Sequence, residues 1–326
     1  MGISEPTGYQ AAISSAAFYL QPKAGYLKVE GTDRIAFLQR QTTNDLTQLA
    51  LKGCLTSILT SPSARILDMF RVIDEGDSLG IITLAGHAES TLRYLKSRIF
   101  FMDKVSVVDL SVEFAQIDLE GLGATKWLIE LGIGVAPKLD EIVSVDMDGL
   151  PLRILGQPGL SGQGYRLLVP AAAQPSLENT LNGLGIAHLE EEAYQALRVE
   201  AGLPAPGTEL TEDYTPMEIG LDWVISDKKG CYTGQEVIAR QITYDKITQQ
   251  LVGLQLSSPA QPGERVWSDG KPAGKVTSSA RSPRFGEIAL AVLKKPFHLP
   301  NTEVFVGSAP DLSSSAIVSV LPINSK

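Results

Sequence analysis

From residue 249 onward the chain consists almost entirely of short alternating runs. LVGLQLS, ERVWSDGKPAGKVTS, EIALAVLK, TEVFVG and AIVSVLP follow one another, separated by Gly, Pro and Asp-Gly turns. A period of two puts successive side chains on opposite faces, which suits half-buried strands and rules out amphipathic helices. Asp269-Gly270, between Val266 and Val276, has the chemistry of a two-residue hairpin turn. The tail is therefore expected to be a small all-β unit, a barrel. It should begin near residues 245–250, giving regions 1–247 and 248–326.

The preceding residues have a different rhythm. Residues 24–31 read as a strand, with Thr32 and Asp33 as helix N-caps and Ile35, Phe37 and Leu38 as an apolar stripe. Strand-like runs follow at 54–60 and 66–73, joined by Ser61-Pro62-Ser63, then a strand at Leu79–Leu84. A helix is expected from about Ala88 to Phe100, with Leu92, Leu95 and Ile99 on one side and Arg93, Lys96 and Arg98 on the other. Further strands are expected at Val105–Val108, Phe114–Leu119 and Tyr165–Val169, and helices at Ala124–Leu131 and Pro175–Leu184. This recurrence predicts two α+β sheet-and-helix units. Helix 190–201 stops at Gly202, with Pro204 and Pro206 beyond. Residues 203–236 then form a long polar, turn-rich stretch, the kind of segment that carries function in a compact domain.

Of the 326 residues, 44% are hydrophobic and 20% charged, and the net charge is −9. No whole-protein basic field exists to attract nucleic acid. The only cysteines are Cys54 and Cys231, and the three histidines are scattered. Neither a zinc site nor a self-contained iron–sulfur cluster is expected from such a set. Free thiols suit a reducing compartment. Met1 to Ala12 lacks the pattern of a signal or transit peptide, and no apolar run is long enough to span a bilayer. These features predict a cytoplasmic protein without a membrane partner.

Lys229-Gly230-Cys231-Tyr232-Thr233-Gly234-Gln235-Glu236 is the most distinctive segment. Two glycines frame a cysteine, and Lys228 and Lys229 precede it. Nearby cations favour a thiolate, and glycines admit close approach of backbone to a ligand. The alternative is a buried cysteine acting as a small hydrophobe. Gly234-Gln235-Glu236 leads into Val237-Ile238-Ala239 as a helix start would.

KGCYTGQEVIAR resembles the signature of YgfZ-type proteins, whose mitochondrial relatives assist iron–sulfur cluster assembly. Three further blocks fit the same family. They are Gly31-Thr32-Asp33-Arg34 with Phe37-Leu38 and Thr43-Asn44-Asp45; Leu197 to Gly202 with Pro216-Met217-Glu218; and Gly274 to Ser278 with Ser282-Pro283 and Ile288 to Ala291. These three are shared with the glycine cleavage T protein, an aminomethyltransferase, whereas the cysteine loop is not. The resemblance implies two α+β folate-binding units around a central cavity and a C-terminal β-barrel.

It also implies tetrahydrofolate as the bound cofactor. Glu200 is then the expected pterin partner, because a carboxylate can accept an N–H and an exocyclic amino group side by side. Tyr214, Trp223 and Tyr232 are candidates to pack on the rings, and Arg240 to meet the glutamate tail, unless it is a solvated helix-end arginine. Asp68 stands where T proteins carry Asp-Asp after a glycine-rich turn. Here Met69 replaces the second aspartate, and Ala64 and Arg65 replace the glycines. Asp68 is a candidate catalytic group beside Cys231, or else a polar residue on the outer face of a strand. Asn44 and Asp45 are adequately explained as caps.

Three functions follow from the resemblance. The first is a folate-dependent factor for iron–sulfur cluster assembly or repair, with iron–sulfur assembly or client proteins as partners. The second is a folate-dependent aminomethyltransferase. The third is a non-catalytic folate carrier in which Cys231 is structural.

Overall fold

The computed structural model describes residues 8–147 and 149–323; the first part of the amino-terminal stretch read above lies outside the described residues. Tertiary contacts group the chain into two units, one running to residue 189 and including 223–235, the other comprising 190–222 and 236 onward.

In chain order the first unit runs α1 (Tyr9–Ser14), β1 (Ala17–Leu20), β2 (Gly25–Glu30), α2 (Arg34–Gln41), α3 (Leu49–Lys52), β3 (Cys54–Thr60), β4 (Ile66–Asp74) and β5 (Ser78–Thr83). It continues with α4 (Ala88–Ser97), β6 (Ser106–Asp109), β7 (Phe114–Glu120), α5 (Ala124–Glu130), β8 (Ile142–Met147), β9 (Leu150–Pro158), β10 (Gln163–Pro170), α6 (Gln174–Gly183) and β11 (Ala187–His188). One sheet has the order β3-β4-β5-β2-β6 and the other β11-β1-β7-β10-β9-β8. All their pairings are antiparallel except β1 with β11.

Each sheet is covered on one face by helices. Phe37 and Leu38 of α2 and Leu95 of α4 pack with Leu27, Leu59, Phe70, Val72 and Ile81 of the five-stranded sheet. Leu128 of α5 and Leu177 and Leu181 of α6 pack with Ile117, Leu119, Ile154 and Leu167 of the six-stranded sheet. The remaining faces contribute Tyr26, Cys54, Ile73 and Ile82 from one sheet and Leu155 and Leu168 from the other to a shared cluster. Strands covered on both sides lose the polar alternation of a half-exposed strand. Every residue of β3 and β5 is accordingly buried. Full burial of a Leu, Ile or Phe side chain contributes about 1.5–3 kcal/mol.

The second unit contains α7 (Glu191–Ala201), most of α8 (Gln235–Thr243), and β12 (Gln249–Leu256), β13 (Arg265–Ser268), β14 (Lys271–Ser282), β15 (Gly286–Lys294), β16 (Glu303–Ala309) and β17 (Leu312–Ser319). The six strands close into a barrel in the order β12-β15-β14-β13-β16-β17. Its interior is filled by small and branched side chains such as Val266, Ala273, Ala289, Ala291, Val304 and Val318. Asp269 and Gly270 have φ of 50° and 70°, the left-handed pair that a two-residue hairpin needs. Helix α7 ends at Gly202 (φ 71°), where a Cβ would come within 2.8 Å of Leu321.

The expected α+β architecture with a terminal barrel is thus the observed one, with several corrections of detail. The predicted helix 88–100 ends at Ser97, and Arg98 to Asp103 form turns. The hairpin β8–β9 and strands β1 and β11 were not foreseen; β11 is only two residues long, too short for any periodicity. Asp33 occupies the N-cap of α2 but does not cap it: its carboxylate accepts from the Lys104 amide at 2.9 Å instead. No helix among the described residues is long and apolar enough to cross a membrane.

Candidate functional site

The cysteine loop is built on the exit of α2. There the chain turns out of the helix and leaves carbonyls without intrahelical donors. The Lys229 ammonium supplies them, donating to Thr42 O at 2.5 Å and Asn44 O at 2.7 Å. Desolvation lowers the Lys229 pKa to about 8, and the Asp45 carboxylate opposes that shift. Lys229, read from the sequence as a cation serving the thiol, is therefore committed to the backbone. Thr43 ties the same corner: its hydroxyl donates to Val224 O at 2.8 Å and accepts from Ile58 N, and its carbonyl accepts from Ser226 N. Asp45 caps the following turn by accepting from Thr47 N.

Beyond Lys229 the loop is fastened again. Tyr232 is buried, with the Lys229 ammonium 5.1 Å from its ring centroid and its phenol pushed up to about 12 by burial. Thr233 N donates to Arg40 O at 3.3 Å, and Thr233 O accepts from the Thr60 hydroxyl at 2.6 Å. Gly234 has φ 84°, and a Cβ there would lie 2.8 Å from Ser61 O. Between these fastenings stands Cys231, a free and exposed thiol. The Arg40 guanidinium grips both oxygens of Asp103, at 2.9 and 3.0 Å, and Asp103 accepts from Phe100 N. The turn so held carries Phe100, Phe101 and Met102, all strongly exposed.

The turn that Gly234 abuts, Ser61 to Arg65, contains a left-handed residue that is not glycine. Ala64 is buried with φ 60°. An L-residue in that region is strained by roughly 1–2 kcal/mol. The turn is closed by Ala64 N to Ser61 O and Ser61 N to Arg65 O, each 2.9 Å.

Asp68 is not on an outer strand face. Ile66, Asp68, Phe70 and Val72 alternate inward along β4, beneath the helices, and Asp68 is fully buried. Its Oδ1 accepts from Leu84 N at 3.1 Å and its Oδ2 from the Thr91 hydroxyl of α4. Among the described residues no cation donates a hydrogen bond to it, and burial pushes its carboxyl up to about 7. The position was legible from the sequence, since Asp68 shares the parity of three core residues.

Glu200, in the last turn of α7, is also buried. Its Oε1 accepts from the Ser282 hydroxyl at 2.6 Å, and Arg284 Nη1 lies 3.6 Å from Oε2. Arg198, two residues earlier on α7, is engaged elsewhere: with Glu209 at 3.4 Å, the Ser278 hydroxyl at 2.9 Å and Leu203 O. Tyr214 is buried beside barrel strands, with the Lys275 ammonium 5.4 Å from its ring centroid. Arg240 is exposed on α8, 4.0 Å from Glu236. Trp223 is about half exposed and belongs to the first unit. Cys231, Tyr232, Trp223 and Asp68 thus belong to one unit, and Glu200, Arg240 and Tyr214 to the other.

A buried polar cluster in the first unit was missed. Arg166 of β10 makes a two-pronged pair with Asp118 of β7, at 2.7 and 2.9 Å. Burial, with Asp118 next, raises Glu120 to about 8, while Leu160 N and the Gln157 amide donate to it. Nη1 of Arg71 is buried without a hydrogen-bond partner among the described residues. The signal was present in β7, where Gln116, Asp118 and Glu120 alternate with Ala115, Ile117 and Leu119. One face of a buried strand is polar throughout, which demands partners across the gap.

Comparison with known proteins agrees with this architecture. The GCVT N-terminal domain matches residues 9–229, and the glycine cleavage T-protein C-terminal barrel domain matches residues 249–323. A chloroplastic protein of Arabidopsis thaliana, named as a candidate transferase, is 32% identical over 91% of this chain and 69% of its own length. A mitochondrial aminomethyltransferase of Dictyostelium discoideum is 26% identical over 94% of this chain and 83% of its own. The crystal structure of the glycine cleavage system aminomethyltransferase T from Bartonella henselae superposes with a TM-score of 0.86 at 21% identity, covering 97% of this chain and 88% of that one. The chain belongs to the glycine cleavage T-protein family, with both the GCVT N-terminal domain and the C-terminal barrel domain.

Proposed function

We propose that this protein binds tetrahydrofolate through Glu200 and, through Cys231, assists the assembly or repair of iron–sulfur clusters, as YgfZ-type proteins do. One observation carries this reading. The residues flanking Cys231 are pinned by Lys229, Tyr232, Thr233 and Gly234, while the thiol itself faces solvent. A loop so held presents its cysteine to a partner in a fixed position. Assembly or client proteins are the proposed partners, and the exposed Phe100 to Met102 turn, tied through Arg40 to the same loop, gives them apolar surface to meet. A reducing compartment keeps both thiols free.

The chemistry of Glu200 suits a pterin. A carboxylate can accept two N–H groups side by side, and the partners of Glu200 include the Ser282 hydroxyl and the Arg284 guanidinium. Arg284 is half exposed, with its guanidinium 4.7 Å from the Phe285 ring centroid. Glu200 would orient the ring by accepting its N–H groups, and Ser282 would hold the carboxylate. Bound tetrahydrofolate supplies a carrier for one-carbon units.

A second reading, aminomethyl transfer, is favoured by the names of the relatives. It is weakened by Asp68, whose two oxygens are already engaged beneath α4, and by Met69 in place of a second aspartate.

Calorimetric titration with tetrahydrofolate tests the folate site. Saturable binding is expected for the wild type, with Glu200→Ala losing about 2–3 kcal/mol, a factor of roughly 30 or more. Cys231→Ser should bind folate normally yet fail to restore iron–sulfur enzyme activity in cells lacking the factor. Full restoration by Cys231→Ser rules out the thiol role, and absence of folate binding by the folded wild type rules out the whole reading.

A further inference from the structure

The barrel-bearing unit carries a cleft of about 500 Å³ on its surface, bordered by strands β12 to β15 and by Asp213 and Tyr214. That volume suits a small molecule. Its rim is cationic although the chain as a whole is acidic: Arg265, Lys275 and Lys294 all line it, with Asp213 as the carboxylate.

Strand register places these cations on one face. Arg265 is directly opposite Lys275 across β13 and β14, and Lys275 is opposite Val292 across β14 and β15. Lys294 lies two residues beyond Val292 and so shares its face. Like charges directly opposite on a sheet repel, and the arrangement is destabilising without a counter-ion. Asp213 pairs with Lys275 at 2.8 Å, one carboxylate among three cations lining the cleft. Tyr214, 3% exposed, also lines the cleft, and its hydroxyl lies beside the Lys275 ammonium. Gly263 also lines the cleft, and a Cβ there would meet nothing within 4 Å.

We infer that this cleft binds a small, multiply charged anion bearing carboxylate or phosphate groups, held by Arg265, Lys275 and Lys294 with the Tyr214 hydroxyl as a further donor. Two anionic groups on one molecule relieve the Arg265–Lys275 repulsion, and the third cation adds selectivity for multivalent over monovalent ions. The inference is independent of the folate reading, and Glu200→Ala should leave this binding unchanged.

The test is calorimetry on the full chain at low ionic strength, with pyrophosphate and citrate as probes. Saturable one-to-one binding of at least one probe is expected, weakening as salt is added. Binding of pyrophosphate alone identifies a phosphate ligand, and of citrate alone a polycarboxylate; either supports the site. Lys294→Glu and Arg265→Glu should each weaken binding tenfold or more. Lys126→Glu, which reverses an exposed charge on α5, should not. Melting temperatures give a readout that a generally weakened fold would not: Arg265→Gln should melt higher than wild type without anion and gain less when anion is added. No saturable binding of either probe, or wild-type affinity in Lys294→Glu, overturns the proposal.

Discussion

The two cysteines of this chain occupy opposite environments within one unit. Cys54 begins β3, is fully buried among Tyr26, Ile73, Ile82, Leu155 and Leu168, and has its thiol pushed up to about 12, chiefly by desolvation. Cys231 stands exposed on a loop whose neighbours are fastened by backbone and ammonium contacts. The same side chain is a core hydrophobe in one place and an available nucleophile in the other. What distinguishes them is how the backbone around each is satisfied. Ladder bonds hold Cys54 inside a sheet covered on both faces, whereas glycines, Lys229 and Thr233 hold the other loop without burying its thiol.

The largest expected effect is in thiol reactivity. Alkylation under native conditions should modify Cys231 alone, at least about a thousandfold faster than Cys54, whose reaction requires opening of the sheets. Mass spectrometry of peptides quenched over time reads both rates. Comparable rates would erase the contrast, and Cys231→Ser should leave no fast-reacting thiol.

A smaller effect comes from the loop's anchor. Gly234→Ala adds a Cβ 2.8 Å from Ser61 O at a φ of 84°, and should cost about 1–3 kcal/mol in denaturant unfolding. It should also alter the Cys231 alkylation rate while leaving Cys54 protected. If the rate is untouched, the Gly234 contact does not set the position of the thiol.

The smallest effect concerns the dry interior around Cys54. Asp68 lies on the helix-facing side of the same sheet, with its carboxyl raised to about 7 by burial. The native state then binds this proton more tightly than the unfolded chain, whose carboxyl titrates near about 4. Its effect on stability is most favourable below pH about 4, declines as pH rises to about 7 and is level above that. Asp68→Asn should flatten the fall in melting temperature across this window, by more than about 1 kcal/mol when referred to wild type. An unchanged slope would mean that the helix-facing side of the sheet is wetter than the side holding Cys54.

Much of this was readable in advance where local rules suffice. The hairpin at Asp269-Gly270, the stop of α7 at Gly202 and the start of α8 after Gly234 each depend on backbone preferences of a few residues. The parity of Asp68 was also in the sequence, but its burial depended on α4 lying above β4. Lys229 was misjudged because its partners, Thr42 and Asn44, are nearly two hundred residues away in sequence.

The sequence by itself determined the strand periodicity of the barrel, the sheet-and-helix alternation before it and the glycine-framed cysteine, since these follow from side-chain period and steric freedom at single residues. Tertiary structure alone decided which charges would meet. Arg166 with Asp118, and Ser282 with Arg284 on Glu200, join segments distant in the chain. The physical reason is that burial and electrostatic pairing depend on what lies across a strand or beneath a helix, and those neighbours exist only once the chain has closed on itself.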